Sequence, residues 1–110
     1  MKFKNSVRWK LPLGVVETVK GICKDYERKR EALSDTGLKA EVRSAYEAHN
    51  TAVNNALLTL EPSLRYLILE DVAEKRGYNK SAARSYIAHN GYAERKCRFI
   101  YHIAVNLNLV

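Results

Sequence analysis

Apolar residues recur at helical spacing over most of the chain. Between about residues 12 and 33 apolar side chains recur at steps of three or four positions, and only Arg30 interrupts the pattern. These positions are Val16, Val19, Cys23, Tyr26 and Leu33. Such steps place side chains on one face of an α-helix, and Pro12 suits the first turn, where no backbone donor is needed. The pattern predicts a long amphipathic helix over residues 12–33.

A second apolar stripe follows a short turn. Residues 34–37 read Ser-Asp-Thr-Gly, a composition typical of turns. The next stripe consists of Val42, Tyr46, His49, Val53, Leu57 and Leu60. Two long amphipathic helices joined by a short connection predict an antiparallel helical hairpin over residues 12–60.

The third and fourth predicted helices are short. Pro62 marks the start of the third helix, which runs to about Arg76 and ends at the C-capping Gly77. Asn79 is a suitable N-cap for a fourth helix of roughly residues 80–89.

The last predicted helix has two distinct faces. Asn90 and Gly91 predict a left-handed turn, after which the helix extends from Ala93 to about Leu107. The apolar face consists of Cys97, Ile100, Ile103, Ala104 and Leu107. The polar face carries Arg95, Arg98 and His102. We expect the first face to pack against the core and the second to bind a partner.

A short helix, a tight turn and a longer basic helix give the organisation of a helix-turn-helix DNA reader. Such a reader presents the first turns of its second helix to the major groove, where Arg and Lys recognise guanine edges. Basic residues of the preceding helix are expected to approach the phosphate backbone. The predicted DNA-contacting residues are Lys80, Arg84, Tyr92, Arg95, Lys96, Arg98 and His102.

The predicted fold is therefore all-α, with a long antiparallel hairpin followed by three shorter helices. The helix-turn-helix-like part covers residues 62–108. A chain of 110 residues has the usual size of one domain and can bury a core without a metal or a disulfide. We expect a single domain over residues 1–110.

The charge of the chain is polarised toward its two ends. The formal net charge is +7. Residues 1–10 contribute +4, residues 11–75 contribute −2, and residues 76–110 contribute +5. Clustered Lys and Arg residues neutralise phosphates and release condensed counterions. This segregation favours a nucleic-acid partner over simple surface solubility.

Several short segments carry a family resemblance. They are Arg8–Gly14, the pair Asp25-Tyr26, Glu61–Tyr66, Arg95–Ala104 and Asn106–Leu109. In these segments the chain resembles small proteins encoded by phages and prophages of low-GC Gram-positive bacteria.

The C-terminal half is also similar to the sigma-factor region 4 type of helix-turn-helix and to ArpU-like phage regulators of late genes. The resemblance implies a sigma-like reader of double-stranded DNA, a role in transcriptional control, and RNA polymerase as a candidate partner. On a palindromic operator such a reader would act as a homodimer.

A different class of function also fits the hairpin. Its heptad-like stripes are typical of a helical protein-interaction module that dimerises or grips a partner, with no nucleic-acid role. The two hypotheses predict different surfaces. DNA binding needs the basic residues of the last two helices to be exposed together, whereas an interaction module needs an exposed apolar strip along the hairpin.

The histidines and cysteines lack the spacing of a metal site. Structural zinc sites use closely spaced Cys or His pairs, whereas His49, His89 and His102 are far apart. His102 follows Cys97 by five residues, which places the two on different faces of one helix. We expect neither a metal nor a cofactor, and we expect Cys23 and Cys97 to be free buried thiols in a reducing compartment.

Catalytic motifs are also missing from the sequence. There is no nucleophile elbow, catalytic triad or phosphate-binding glycine loop. The adjacent carboxylates Glu70 and Asp71 diverge on a helix. We do not expect an enzyme.

The hydropathy pattern does not predict a membrane protein. No stretch reaches the roughly 18 apolar residues needed to cross a bilayer, and residues 1–10 lack the apolar core of a signal peptide. We expect a cytoplasmic protein with no membrane partner.

Overall fold

The computed structural model describes residues 11–74 and 87–110, and all regular structure within these ranges is helical. The helices are α1 (Leu13–Lys24), α2 (Tyr26–Ala32), α3 (Ala40–Leu57), α4 (Arg65–Glu74) and α5 (His89–Asn106). The predicted all-α class is confirmed for these residues. Residues 80–86 of the predicted fourth helix lie outside them, whereas Ile87 and Ala88 are not helical and His89 begins α5, so the predicted end of that helix is wrong.

The first predicted helix is divided into α1 and α2 at Asp25. The backbone of Asp25 has φ −94° and ψ 1°, which departs from α-helical geometry. Its carboxylate accepts hydrogen bonds from Nε and Nη2 of Arg28 at 3.0 and 2.5 Å. An acidic side chain at the start of a helix is favourable because it faces the positive end of the helix dipole. The prediction of one continuous helix over residues 12–33 is therefore wrong at this position.

The two halves of this first segment pack against different helices. α2 contacts α3, whereas α1 contacts α4 and α5. Tyr26 reaches Asn54 and Lys29 reaches His49, so the positions on α3 fall as those on α2 rise and the two helices run antiparallel. The seven-residue α2 therefore forms the antiparallel pair with α3. The longer α1 packs against α4 and α5 instead.

The core forms around α5. Phe99, Ile100, Ile103 and Ala104 of this helix are completely enclosed. The other helices add side chains that are also completely enclosed: Val19, Val53, Ala56, Ile68 and Val72. Burial of this apolar surface is the main favourable contribution to folding, so the apolar face of the last helix packs as its spacing predicts.

The start of α5 differs from the prediction. Ala88 has an extended backbone and serves as the N-cap, while Asn90 and Gly91 are already helical. A Cβ atom at Gly91 would approach the side chain of Ile87 to 3.0 Å. Glycine at this position therefore allows close packing inside the helix, and the predicted left-handed Asn-Gly turn is wrong.

Candidate nucleic-acid interface

Arg95 lies on the face of α5 that meets the α3–α4 turn, residues 58–64. Its Nε and Nη2 atoms donate hydrogen bonds to the Glu61 carboxylate at 3.2 and 2.8 Å. A guanidinium that donates two N–H groups to one carboxylate is held in a fixed plane. Glu61 raises the pKa of Arg95, and Arg95 holds the pKa of Glu61 below its ordinary value. The predicted base-reading side chain thus has an intramolecular partner.

Arg98, almost one turn further along α5, contacts the same turn. Its Nη1 atom lies 3.2 Å from the carboxylate of Glu94. Its Nη2 atom donates a hydrogen bond to the backbone carbonyl of Thr59 at 3.1 Å. The Arg98 guanidinium thus contacts both Glu94 of α5 and the backbone of the α3–α4 turn.

Arg65, the first residue of α4, also holds the α3–α4 turn through hydrogen bonds. Its Nε atom donates to the backbone carbonyls of Leu57 and Leu60 at 3.0 and 3.1 Å. These carbonyls lie at or beyond the C-terminus of α3, where backbone acceptors lack helical partners. Arg65, Arg95 and Arg98 therefore stabilise one turn between two helices.

Lys96 is buried and paired. Its Nζ atom lies 3.4 Å from Oδ2 of Asp71, and the two side chains are only 8% and 1% exposed. The same ammonium lies 6.0 Å from the ring centroid of Tyr92, which is also buried. The structure places Lys96 and Tyr92 in the core, so neither of these predicted DNA contacts lies on the surface.

Helical spacing explains why Lys96 is buried. Tyr92, Lys96 and Phe99 follow one another by four and three residues, so they share a face of α5. That face is the one packed against the core. The sequence signal for the burial of Lys96 was its position between Tyr92 and Phe99 on one face of the helix.

His102 shares the face of Arg95 and Arg98 and is partly buried. Desolvation lowers its pKa, and the nearby Arg98 cation lowers it further. The remaining predicted contacts, Lys80 and Arg84, lie outside the described residues. The structure thus brings together Arg95, Arg98 and His102 from the predicted set.

A partly buried polar cluster between α2 and α3 was not predicted. The Nζ atom of Lys29 lies 2.7 Å from Nδ1 of His49 and 5.6 Å from the ring centroid of Tyr46. Burial lowers the pKa of both Lys29 and His49. The side-chain amide of Asn50 donates to the backbone carbonyl of Tyr26 at 3.3 Å.

The sequence did contain a signal for this cluster. Lys29 stands three residues after Tyr26 and four before Leu33, which puts it on the apolar face of its helix. His49 occupies a position in the second stripe. Two polar residues on facing stripes predict a polar contact within the helix pair.

The surplus positive charge lies outside the described residues. Residues 11–74 and 87–110 contain eleven Lys and Arg residues and twelve Asp and Glu residues, a net charge of −1. Residues 1–10 and 75–86 contain no acidic residue. Their eight basic residues are Lys2, Lys4, Arg8, Lys10, Lys75, Arg76, Lys80 and Arg84.

Two further findings bear on the chemistry of the described part of the chain. It contains no group of three or more His, Cys, Asp or Glu residues that could hold a metal ion. Cys23 is buried, and desolvation raises the pKa of its thiol to about 12. The thiol is therefore protonated at neutral pH and is a poor nucleophile.

Each helix of the described ranges is too short or too polar to cross a bilayer.

Comparison with known proteins finds no matching family model, no similar curated protein and no similar solved structure.

Proposed function

We propose that the protein binds double-stranded DNA and regulates transcription, with most of its phosphate contacts made by basic residues of segments 1–10 and 75–86. The observation that carries this proposal is the distribution of charge. All of the surplus positive charge belongs to these two segments. The helical body, residues 11–74 and 87–110, has a net charge of −1. A chain that needed charge only for solubility has no reason to concentrate it in this way.

The two segments attach to helices that pack together, segment 1–10 before α1 and segment 75–86 after α4. Glu17 and Lys20 of α1 line a shallow groove with Ala73 and Glu74 of α4. Leu13 starts α1 only four residues before Glu17, about 6 Å along the helix. The groove continues along α1 to Lys24, so Glu74 lies against the middle of that helix. Both segments thus attach to the α1–α4 pair, which favours one shared phosphate partner.

The regulatory role rests on the resemblance to ArpU-like phage regulators. It makes a phage or prophage promoter the proposed DNA target and RNA polymerase a proposed partner. A homodimer is proposed for a palindromic target, with half-sites about one helical turn of DNA apart.

The test is fluorescence anisotropy of the purified protein with labelled duplexes over a salt series. We expect the logarithm of the binding constant to fall steeply with the logarithm of salt concentration, by about 0.9 for each phosphate contact. The double variant Lys80→Gln/Arg84→Gln should bind more weakly and have a shallower slope.

The matched control is Lys24→Gln/Lys39→Gln, which removes the same charge from two exposed positions of the body. It should change binding less than the first variant. Equal effects would show that net charge alone, and not its placement, controls binding. Absence of binding to any duplex at low salt would overturn the proposal.

The structure gives the interaction-module alternative little support. Among the described residues, the large apolar side chains that remain exposed are Leu13, Leu58, Tyr66, Val105 and Val110. Leu13 and Leu58 lie near the two ends of the segment 12–60, and Tyr66 of α4 lines a groove with Tyr26 and Glu27 of α2. Each of these residues belongs to a different helix or turn, whereas helix docking requires a continuous apolar strip.

A further inference from the structure

Two guanidinium groups and two carboxylates form a closed cluster where α5 meets the α3–α4 turn. Arg95 donates to Glu61, and Glu94 lies 3.6 Å from Arg95 and 3.2 Å from Arg98. The Arg98 cation also helps to hold the pKa of Glu61 below its ordinary value, so it acts on the same carboxylate. The cluster is neutral as it stands.

We propose that Arg95 and Arg98 form a phosphate-binding site that the Glu61 carboxylate occupies in the free protein and vacates when nucleic acid binds. This inference rests on the proposed DNA binding and adds a site and its regulation. The planar fork of a guanidinium donates to carboxylate and phosphate oxygens in the same geometry. Glu61 is therefore a chemical stand-in for a backbone phosphate.

The cluster is accessible to a competing anion. The side chains of Arg95 and Arg98 are 29% and 25% exposed, and that of Glu61 is 46% exposed. An ion pair at this exposure contributes little net stability, because water solvates both partners almost as well. When Glu61 leaves, the two cations face the solvent with Glu94 alone, which gives the site a charge of +1.

Several contacts other than the Glu61 side chain hold the turn in position. Arg65 holds the carbonyls of Leu57 and Leu60, and Arg98 holds that of Thr59. Leu60 is buried in the core. The Glu61 side chain can therefore rotate away without unfolding the turn.

The experiment compares two variants that each neutralise one carboxylate of an exposed Glu–Arg pair. Glu61→Gln opens the proposed site. Glu27→Gln is the matched control, because Glu27 pairs with Arg30 at 2.6 Å on α2 and its loss changes the net charge equally. Binding to one labelled duplex is measured by anisotropy over a salt series, and circular dichroism melting checks folding.

We expect Glu61→Gln to tighten binding by about two- to fivefold more than Glu27→Gln does. The salt slope of Glu61→Gln should stay close to that of the wild type, because Glu61 vacates the site in the wild-type complex and both proteins then make the same phosphate contacts. Adding Arg95→Ala to Glu61→Gln should remove the gain. Glu61→Asp keeps the net charge but withdraws the carboxylate, and it should also tighten binding.

Each contrary result has a separate meaning. If the wild type binds DNA and Glu61→Gln and Glu27→Gln change duplex affinity equally, the proposed phosphate site is overturned. The proposed function stands in that case. The site is also overturned if the tighter binding of Glu61→Gln persists when Arg95→Ala is added. If Glu61→Gln fails to fold, the site is overturned when Glu61→Asp leaves duplex affinity unchanged. If neither the wild type nor any variant binds at low salt, the proposed function fails together with this site.

Discussion

The ammonium group of Lys29 lies 2.7 Å from Nδ1 of His49 between α2 and α3, where Lys29 is buried and His49 is partly buried. At this distance a protonated Lys29 donates to a neutral His49. A proton on His49 would place two cations in contact. The carboxylate of Asp25 favours the Lys29 cation, whereas Arg28 disfavours it. The contact between α2 and α3 therefore requires an uncharged His49.

The free energy of unfolding should fall as the pH drops below about 6.5. The pKa of His49 and that of His102 are both lowered from 6.5 in the folded protein. Groups with a lowered pKa take up protons more readily when the chain is unfolded, so their contribution is present above pH 6.5 and is lost as the pH falls through the folded pKa. Thermal melting at pH 7.5 and pH 5.0 measures the difference.

Two variants assign this loss to individual residues. His49→Gln keeps a hydrogen-bond acceptor but cannot be protonated, so its Tm should fall less between pH 7.5 and pH 5.0 than that of the wild type. His102→Gln should remove the other part of the loss. An unchanged pH dependence in His49→Gln would show that the Lys29 contact does not control stability.

Replacement of the buried cation should be tolerated. Lys29→Met keeps an unbranched side chain, one heavy atom shorter, and removes a charge that contacts an imidazole and no carboxylate among the described residues. Replacement of buried charges by apolar residues is often neutral or stabilising, so we expect the free energy of unfolding to change by less than about 1 kcal/mol or to rise. Urea denaturation measures this value, and a loss of several kcal/mol would contradict the prediction.

Loss of Asp71 should be far more damaging. Asp71→Asn leaves the buried Lys96 ammonium without its carboxylate, and breaking a buried pair in this way costs about 3–5 kcal/mol. Urea denaturation again supplies the measurement. The double variant Asp71→Leu/Lys96→Met removes both charges and should be more stable than Asp71→Asn.

The same double variant tests the place of Lys96 in DNA binding. Because the Lys96 side chain is 8% exposed, its loss should leave duplex affinity within about twofold of the wild type. A large decrease in affinity with an intact fold would mean that Lys96 leaves the core to contact DNA.

Both cysteines should be unreactive in the native protein. Cys23 and Cys97 are buried free thiols, and the pKa of Cys23 is raised to about 12 by desolvation. Alkylation at pH 8 requires the thiolate, so we expect slow modification that accelerates greatly in denaturant. Mass spectrometry after timed iodoacetamide treatment follows each site, and rapid native labelling of Cys23 would contradict its burial.

Periodicity alone predicted much of the helical structure. The stripe that includes Val53 and Leu57 lies on α3, and the face with Ile100 and Ile103 is the buried face of α5. These features depend on steps of three and four residues within one segment, so a local pattern is sufficient to reveal them. The break at Asp25 departs from this rule because the apolar spacing continues across it.

Only the tertiary structure decided which basic side chains have a carboxylate partner within the protein. Arg95 pairs with Glu61, 34 residues away in the sequence, and Lys96 pairs with Asp71. Spacing along a helix places a cation on a face, but it does not show which carboxylate another helix brings to that face. The sequence by itself determined the helical class and the concentration of positive charge in segments 1–10 and 75–86. The packing of α4 and of the α3–α4 turn against α5 determined that the basic residues of α5 have partners within the protein, because ion pairing depends on distances that arise only when the helices meet.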